Sequence, residues 1–432
     1  MTDIIDELEW RGLLAQTTAP EELRKSLADS PVTVYCGFDP TAGSLHVGHL
    51  TQILTLARFQ HAGHRPLALV GGGTGLIGDP KAGAERALNS PETVAQWVEV
   101  LGRQLAAFLR FPDTEQQLGP TDAIMADNGV WLGKLSAIEL LRDVGKHFSV
   151  NQMLARETVR SRLDGPGMSY TEFSYVLLQA YDYLELYRRY GCTLQIGGSD
   201  QWGNITAGME LVRRVDGNDP HGATHGLTTQ LLTKADGTKF GKTEGGTIWL
   251  DPELTSPYAF YQFWFNTEDR DIARYLRVFS FRTRAEIEEL EREAARSPAQ
   301  RAAQRALAEE LTTLVHGAAE SQRVIAASRA LFGHGELRGL DSRVLQAALA
   351  EVPSAEIGPT SDPLPTIVDL LQATGLATSK SAARRTVTEG GAYVNNTKVT
   401  DVAARPGNSE LLHGRYLVLR RGKRNVAGVV VD

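Results

Sequence analysis

Residues 32–39, with the sequence V-T-V-Y-C-G-F-D, and the tetrapeptide His46-Val47-Gly48-His49 that follows them decide the fold class of this chain. The first segment is apolar and rich in β-branched and aromatic residues, which is typical of a buried strand. Apolar residues at positions 50, 53, 54 and 57 then recur at helical spacing, so a helix is predicted to begin near Gly48. A buried strand that leads into a helix is the first half of a strand–helix–strand unit.

The same alternation continues along the chain. Residues 66–70 form a second apolar strand-like run, and residues 91–109 have helical periodicity, with Pro91 suited to a first turn. Strand, helix, strand, helix predicts a parallel α/β sheet with right-handed crossovers. Ligands of such sheets bind beyond the carboxyl ends of the strands, where Asp39 and Asp79 fall.

The composition indicates a folded cytoplasmic protein of two or three domains. The chain has 432 residues, of which 42% are hydrophobic and 22% charged. No apolar run approaches the ~18 residues that a membrane span requires, and the acidic N-terminus does not resemble a secretory leader. With two cysteines, Cys36 and Cys192, neither a disulfide framework nor a cysteine-rich zinc site is expected.

Charge is distributed unevenly along the chain. The net charge is −7, yet residues 366–432 hold ten Lys and Arg against five Asp and Glu, a local net charge of +5. A basic tail on an acidic body is typical of an RNA-binding appendage, and a solvated charged surface is the alternative. Residues 351–365 contain four prolines, which predicts a linker before this tail.

The run Gly73-Thr74-Gly75-Leu76-Ile77-Gly78 matches G-x-G-x-x-G but does not predict a dinucleotide site. That fingerprint requires a helix to open within it, and Asp79-Pro80 interrupts a helix here. The glycines instead allow the backbone to approach a ligand closely.

His46 and His49, at the start of a predicted helix, favour an anion-binding site. A helix N-terminus attracts anions, and imidazoles there can donate hydrogen bonds to phosphate oxygens. Thr41 adds a hydroxyl donor, and Gly48 leaves room for adenine or ribose. A metal site is the alternative, but no Cys or acid stands nearby at ligand spacing, so we predict no metal ligands.

The segment Lys239-Phe240-Gly241-Lys242-Thr243 predicts a flexible loop that closes on a triphosphate. Lysines on such a loop can make contacts with phosphate oxygens that strengthen in the transition state. Lys81 and Arg86 add positive charge. The alternative is a basic loop without a ligand.

Tyr175, Gln179 and Asp182 share one face of another predicted helix. Asp182 lies among apolar residues, so its carboxylate needs a partner, which a phenolic hydroxyl of a ligand would supply. Further on, residues 195–201 place two glycines before Asp200, an arrangement suited to ribose contact. A polar turn is the alternative for that segment.

With these motifs the chain resembles the bacterial tyrosyl-tRNA synthetases, a family of class I synthetases, over nearly its whole length. The resemblance rests on Tyr35-Cys36-Gly37-Phe38-Asp39-Pro40-Thr41, on the H-V-G-H version of the family's H-I-G-H signature, and on residues 194–208 and 233–250. The K-F-G-K-T segment stands where many class I enzymes have K-M-S-K-S.

The resemblance implies roles for individual residues. Tyr35 and Asp182 would bind the phenolic hydroxyl of tyrosine. The remaining tyrosine-binding residues would be Asp79, Tyr175, Gln179 and Gln201. Those along ATP would be Cys36, Gly37, Asp39, Gly48, Gly198, Asp200 and Lys242. The catalytic residues would be Thr41, His46, His49, Arg86, Lys239, Lys242 and Thr243. After Asp79-Pro80 the family usually has Ser-Gly-Lys before Glu-Arg, but here the loop is one residue shorter, so no role is assigned to Lys81.

The resemblance also implies the architecture and the partners. We expect a Rossmann-like catalytic domain (residues 1–225), a lysine-loop and helical domain that contacts tRNA (226–350), the linker (351–365) and a small α+β RNA-binding domain (366–432). In the last, Lys380, Arg384 and Arg385 would contact tRNA(Tyr). Residues 141–150 resemble the family's dimer interface, so a homodimer is expected. ATP would be a substrate, with Mg²⁺, and no tightly bound cofactor is expected.

Three other functions remain open from the sequence. A tryptophanyl synthetase should lack the Tyr35 and Asp182 pair, and a smaller H-x-G-H nucleotidyltransferase should lack the lysine loop and the RNA module. An RNA-binding protein derived from an inactive synthetase is the third, although His46, His49, Lys239 and Lys242 are all retained.

Overall fold

A computed structural model describes residues 3–80, 88–112, 119–165, 167–217, 221, 223–235, 237–238, 240–243, 246–358 and 363–431. Lys81, Arg86 and Lys239 lie outside the described residues, as do the side chains of Lys242 and Thr243. The chain forms two compact units. The first comprises Met1–Asp251 and Glu268–Arg292, and the second comprises Pro252–Thr267 and Glu293–Asp432.

The strands form two larger sheets and a short hairpin. In chain order they are β1 (Leu14–Thr17), β2 (Thr33–Phe38), β3 (Arg65–Val70), β4 (Ile124–Asp127), β5 (Cys192–Gly198), β6 (His225–Thr229), β7 (Lys242–Thr243), β8 (Gly246–Thr247), β9 (Ser354–Ile357), β10 (Ala392–Val394), β11 (Thr397–Val399), β12 (Tyr416–Arg421) and β13 (Asn425–Val431).

The α-helices surround these sheets. In chain order they are α1 (Ile4–Trp10), α2 (Pro20–Asp29), α3 (Val47–His61), α4 (Pro91–Ala106), α5 (Gly129–Leu132), α6 (Ala137–Glu139), α7 (Val150–Leu154), α8 (Glu157–Leu163), α9 (Tyr170–Tyr190), α10 (Trp202–Val215), α11 (Pro257–Phe265), α12 (Asp269–Phe279), α13 (Arg284–Arg296), α14 (Ala302–His316), α15 (Ala318–Leu331), α16 (Ser342–Ala350), α17 (Ile367–Ala373) and α18 (Lys380–Thr388). None of them, within the described residues, is long and apolar enough to cross a membrane.

The first unit is built on a six-stranded sheet with the order β1-β6-β5-β2-β3-β4. Strands β2 to β6 pair in parallel, and only β1 runs antiparallel to its neighbour β6. The predicted parallel α/β sheet is therefore confirmed. Because β2 lies between β3 and β5, the carboxyl ends of these three strands meet at one edge, where a parallel sheet binds its ligands.

Helices α3 and α9 place the polar residues at that edge. The apolar side chains at positions 50, 53, 54 and 57 of α3 are buried, as the spacing predicts. Helix α9 begins at the cap Ser169, whose side chain accepts from Glu172 N, and ends at Gly191, whose φ of 58° suits glycine. Between Gly73 and Gly78 only a 3₁₀ turn, Thr74–Leu76, is present, so no helix opens as a dinucleotide site requires.

The second unit combines the helices α11 and α14 to α18 with a five-stranded sheet of order β11-β10-β12-β13-β9. Its C-terminal part has a core formed by α17, α18 and the sheet, with Ile367, Leu371, Leu417 and Leu419 fully buried. The side chain of Asn396 donates to Ala330 O at 2.7 Å, so this part also contacts α15.

The predicted linker at residues 351–365 contains structure that the prolines did not predict. Its segment Ser354–Ile357 is strand β9, which pairs in parallel with β13 at the edge of the sheet. Pro353 precedes the strand and contributes its carbonyl, which accepts from Gly428 N at 2.9 Å. Proline is compatible with such an edge position, because an edge strand leaves one side of its backbone unpaired. The limits of separately folding domains stay predictions.

Candidate active site at the carboxyl edge of the parallel sheet

A cavity of about 320 Å³ lies at the carboxyl edge of the parallel sheet in the first unit. It brings together most of the residues for which the sequence predicted a ligand role. Those that line it are Tyr35, Cys36, Gly37, Asp39, Thr41, Gly48, His49, Asp79, Tyr175, Gln179, Asp182, Gly198, Asp200 and Gln201. His46 does not line this cavity but stacks on His49, with ring centroids 3.9 Å apart.

Asp182 is a buried carboxylate held by two donors. Its side chain is only 2% exposed, and its oxygens accept from Asn128 Nδ2 at 2.9 Å and Trp131 Nε1 at 2.7 Å. Burial raises the pKa of Asp182 to about 8, although both hydrogen bonds act in the opposite direction. A carboxylate oxygen has more than one lone pair, so Asp182 retains acceptor capacity toward the cavity.

Tyr35 supplies a second polar group to the same cavity. Its hydroxyl is buried and has no hydrogen-bond partner among the residues that the structure describes. Burial, together with the nearby Tyr183 and Asp182, holds the pKa of Tyr35 well above its usual value, so the hydroxyl keeps its proton. A buried polar group without a partner is costly, which is the condition that a ligand hydroxyl would relieve.

Asp79 forms a hydrogen-bonded cluster with three amide side chains. Gln201 Nε2 donates to Asp79 Oδ2 at 2.8 Å, and Gln179 Nε2 donates to Gln201 Oε1 at 3.2 Å. Asn204 Nδ2 donates to Gln201 Oε1 at 3.1 Å and approaches Asp79 Oδ1 at 3.5 Å. Burial raises the pKa of Asp79 to about 6, and the carboxylates of Asp39 and Asp200 act in the same direction.

Asp39, directly after β2, is held by two hydroxyls. Tyr175 donates to its Oδ2 at 2.8 Å and Thr74 donates to its Oδ1 at 2.7 Å. A Cβ at Gly71 would overlap Asp39 Oδ1 and approach Thr74 Oγ1 to 2.5 Å, so glycine is needed there. The orientation of Asp39 is therefore fixed from two neighbouring segments.

The two imidazoles at the start of α3 cap each other's backbone. His46 Nδ1 accepts from Gly48 N at 3.0 Å, and His49 Nδ1 accepts from His46 N at 3.1 Å. Because a backbone N–H can only donate, both neutral rings must carry their proton on Nε2. Each ring is thereby set to donate from Nε2, at a helix N-terminus that attracts anions.

Gly48 serves this arrangement in a way that the sequence did not predict. A Cβ at this position would lie 2.8 Å from Cε1 and 2.9 Å from Nδ1 of His46. The missing side chain therefore makes room for the capping ring of His46, in addition to the lining it gives the cavity.

The segment that follows Lys242 lies beside the His46–His49 motif at the start of α3. Val47 N donates to Ile248 O at 3.0 Å, and Leu250 N donates to Leu45 O at 2.8 Å. Phe240 is buried, and its ring stacks on Phe279 with centroids 5.3 Å apart. The backbone that carries Lys242 is thus anchored close to the N-terminus of α3.

Four side chains that hold the site were missed in the sequence. Asn128 and Trp131 follow β4, a strand of only four residues whose pattern was too short to be recognised. Thr74 lies inside the rejected G-x-G-x-x-G run, and Asn204 lies in the first turn of α10. Asn128 could have been found from its place after a strand end, as Asp39 and Asp79 were.

Outside this cavity, the predicted RNA-binding residues Lys380, Arg384 and Arg385 lie exposed on α18 of the second unit. Lys380 Nζ forms an ion pair of 2.7 Å with Asp369. Among the described residues, no group of three or more His, Cys, Asp and Glu side chains is arranged to hold a metal ion.

Comparison with known proteins identifies the family. A family model described as "tRNA synthetases class I (W and Y)" matches residues 27–333. A tyrosine–tRNA ligase from Thermobifida fusca is 72% identical over the full length of both chains. The chain belongs to the tyrosyl-tRNA synthetase family.

Further matches support membership of the tyrosyl-tRNA synthetases. A model described as "Tyrosine–tRNA ligase SYY-like C-terminal domain" matches residues 344–428. A tyrosine–tRNA ligase from Streptomyces coelicolor is 63% identical over all of this chain and 99% of its own. The crystal structure of a C-terminally truncated Aspergillus nidulans mitochondrial tyrosyl-tRNA synthetase is 33% identical, with a TM-score of 0.68 over 77% of this chain and 94% of that one.

We predict that the Gly48→Ala substitution is coupled to His46. In the native background, the new Cβ displaces the His46 ring and removes its hydrogen bond to residue 48. We expect this to lower the free energy of unfolding by about 0.5–2 kcal/mol. In a His46→Ala background the same substitution should raise the free energy of unfolding by about 0.5–1 kcal/mol, because alanine has a higher helix propensity than glycine. A double-mutant cycle of urea unfolding measures the coupling. Equal effects of Gly48→Ala in both backgrounds would contradict it.

Proposed function

We propose that this chain is a tyrosine–tRNA ligase that forms tyrosyl-adenylate from tyrosine and ATP and then transfers the tyrosyl group to tRNA(Tyr). The observation that carries the proposal is the buried pair of Tyr35 and Asp182 in the cavity. A phenolic hydroxyl can bond to both groups at once, whereas a ligand without it leaves the buried Tyr35 hydroxyl with no partner among the described residues and gives Asp182 no donor beyond Asn128 and Trp131.

The amino-acid end of the cavity orients the substrate for attack. Asp79 and Gln179 Oε1 are acceptors for the α-ammonium group, and Tyr175 has a lone pair left because its proton is donated to Asp39. Gln201 lies beside them, toward the α-phosphate. The carboxylate of tyrosine then attacks the α-phosphorus of ATP, forming the P–O bond of the adenylate while the bond to pyrophosphate breaks.

The nucleotide end binds and neutralises the phosphates. ATP enters as its magnesium complex, in which phosphate oxygens hold much of the ion's coordination shell. His46 and His49 donate from Nε2 toward the leaving pyrophosphate, and Thr41 assists them. Other groups lie along the adenylate: the backbone of Gly37 and Gly198, the carboxylates of Asp39 and Asp200, and Cys36. By family likeness Lys239, Lys242, Thr243 and Arg86 add charge stabilisation to the same phosphates.

The second step needs no nucleophile from the protein. The terminal ribose hydroxyl of tRNA attacks the activated carbonyl carbon, the new ester bond forms, and AMP leaves with the bonding electron pair. The proposal therefore includes no covalent enzyme intermediate, and its rate arises from positioning and charge stabilisation.

Tyrosine-dependent exchange of pyrophosphate into ATP tests the proposal. The wild-type protein should exchange with tyrosine and, at equal concentrations, not with phenylalanine or tryptophan. Exchange with tryptophan would instead indicate a tryptophanyl-tRNA synthetase. A folded protein that binds RNA but shows no exchange with any amino acid would refute the enzymatic function.

We predict that tyrosine binding weakens below about pH 6 because of Asp79. The pKa of Asp79 is raised from its usual range to about 6, so the carboxyl group of the ligand-free protein stays protonated up to about pH 6. Since the α-ammonium group requires the carboxylate, the KM for tyrosine should rise as pH falls through this value, by about tenfold per unit in the limit. Exchange kinetics between pH 5 and 8 measure it.

The Asp79→Asn variant is the control for this pH dependence. It should show a higher KM for tyrosine at pH 7.5 and no inflection near pH 6. An unchanged inflection in Asp79→Asn would assign the titration to another group.

We predict that Arg384 and Arg385 contribute to tRNA binding. Both are exposed on α18, in a tail with a net charge of +5, and neutralising phosphates releases counterions. The double variant Arg384→Ala/Arg385→Ala should raise the KM for tRNA and reduce its salt dependence, while exchange is unchanged. Arg213→Ala, which removes an exposed arginine from the first unit, is the control. Equal charging by the double variant and the wild type would contradict this role.

We further propose a cytoplasmic homodimer. Large apolar side chains are exposed between α5 and α8 of the first unit, an arrangement typical of a protein–protein interface. The most exposed are Val130, Ile138, Leu141, Val150 and Leu163. Leu141→Asp should convert the dimer to a monomer in sedimentation velocity, because a twofold interface meets the substitution twice. A wild-type protein that sediments as a monomer would refute the dimer.

A further inference from the structure

Arg156 connects the segment between α7 and α8 to the amide cluster around Asp79. Its guanidinium donates to Asn204 Oδ1 at 3.1 Å and to Gly203 O at 2.8 Å. Asn204 in turn donates toward Gln201 and Asp79. Arg156 does not line the cavity, and its hydrogen-bonded connection to the cavity runs through Asn204.

The hydrogen bonds of this cluster have a defined direction, which the carboxylate of Asp79 fixes at one end and Arg156 fixes at the other. A guanidinium has donors only, so the Asn204 group that faces Arg156 must be its oxygen. The Nδ2 of Asn204 must then face Gln201, which turns the Oε1 of Gln201 toward Asn204 and its Nε2 toward Asp79. Without such a donor, the two ends of an amide are nearly equivalent in shape and can exchange places.

The series of hydrogen bonds ends at the position proposed for the ammonium group of the substrate. Gln201 Oε1 also accepts from Gln179 Nε2, which leaves Gln179 Oε1 buried and, within the described part of the chain, without a partner. The cluster therefore presents two acceptors, Asp79 and Gln179 Oε1, where an ammonium group has donors only. Reversal of Gln179 would present its N–H₂ group to that ammonium and repel it.

We propose that Arg156 is a positioning residue that sets the hydrogen-bond direction of Asn204, Gln201 and Gln179, and thereby makes the site selective for a protonated α-amino group. The inference rests on the proposed function, since it assigns the ammonium of tyrosine to this cluster. It adds a residue outside the cavity to the determinants of substrate affinity.

Two tyrosine analogues separate this role from a general structural one. Tyrosinol keeps the ammonium group and lacks the carboxylate, whereas 3-(4-hydroxyphenyl)propionate keeps the carboxylate and lacks the ammonium. Arg156→Met should raise the KM for tyrosine and the inhibition constant of tyrosinol about tenfold, the worth of one hydrogen bond. The inhibition constant of the propionate and the KM for ATP should be unchanged.

Three further variants complete the experiment. Arg156→Lys, which retains a cationic donor, should recover most of the tyrosinol affinity. Arg160→Met, which removes an exposed arginine from α8, is the matched control and should behave as wild type. If Arg156 acts through Asn204, the double variant Arg156→Met/Asn204→Leu should be no weaker in tyrosinol binding than Asn204→Leu alone.

The outcomes are distinguishable from failure of the proposed function. A wild-type protein without tyrosine-dependent exchange refutes the function itself. Given wild-type exchange, equal weakening of both analogues in Arg156→Met would show a general structural role and overturn the inference. Unchanged affinity for both analogues, or additive effects in the double variant, would overturn it as well.

Discussion

The parallel pairing of β2 with β3 on one side and β5 on the other is the constraint on which the site depends. It brings three carboxyl ends to one edge, so that Tyr35, Asp79 and Asp200, which are far apart in the sequence, line a single cavity. Helices α3 and α9 then cover that edge with imidazoles and with the Tyr175–Asp182 face. Asp39 directly follows a strand end, and Tyr175, Gln179 and Asp182 lie on a buried helix, whereas Thr41 and Asp79 lie in segments without helix or strand.

The cavity concentrates acidic groups. Asp39, Asp79, Asp182 and Asp200 all line it, and burial raises the pKa of Asp79 and of Asp182. Such a site is electrostatically matched to ligands that bring positive charge or donors: an ammonium group, a phenolic hydroxyl and ribose hydroxyls. In the proposed function the phosphates would meet the opposite chemistry, the imidazole donors at the N-terminus of α3. The ammonium group of tyrosine and the phosphates of ATP would thus be bound by groups of opposite character within one site.

Much of this arrangement could be predicted from the sequence, because the elements that carry it have strong periodicity. Residues 32–39 and the apolar positions of α3 gave the sheet and its ligand edge, and Asp182 was singled out as an acid on an apolar helix. Strand β4 was not predicted, since four half-buried residues carry no clear pattern, and Asn128 and Trp131 were missed with it. Strand β9 was hidden by prolines that flank it. The direction of amide hydrogen bonds has no signature in sequence at all.

The hydrogen bonds between Leu45, Val47, Ile248 and Leu250 have a consequence for how the protein is synthesised. They join segments about two hundred residues apart in the chain, and such long-range contacts require a large loop to be closed before they contribute. A nascent chain that ends before residue 248 lacks the partner for Val47, although it already contains β1 to β6. The residues proposed to bind tyrosine are therefore all synthesised before residues 248–250, whose backbone supports the start of α3, have left the ribosome.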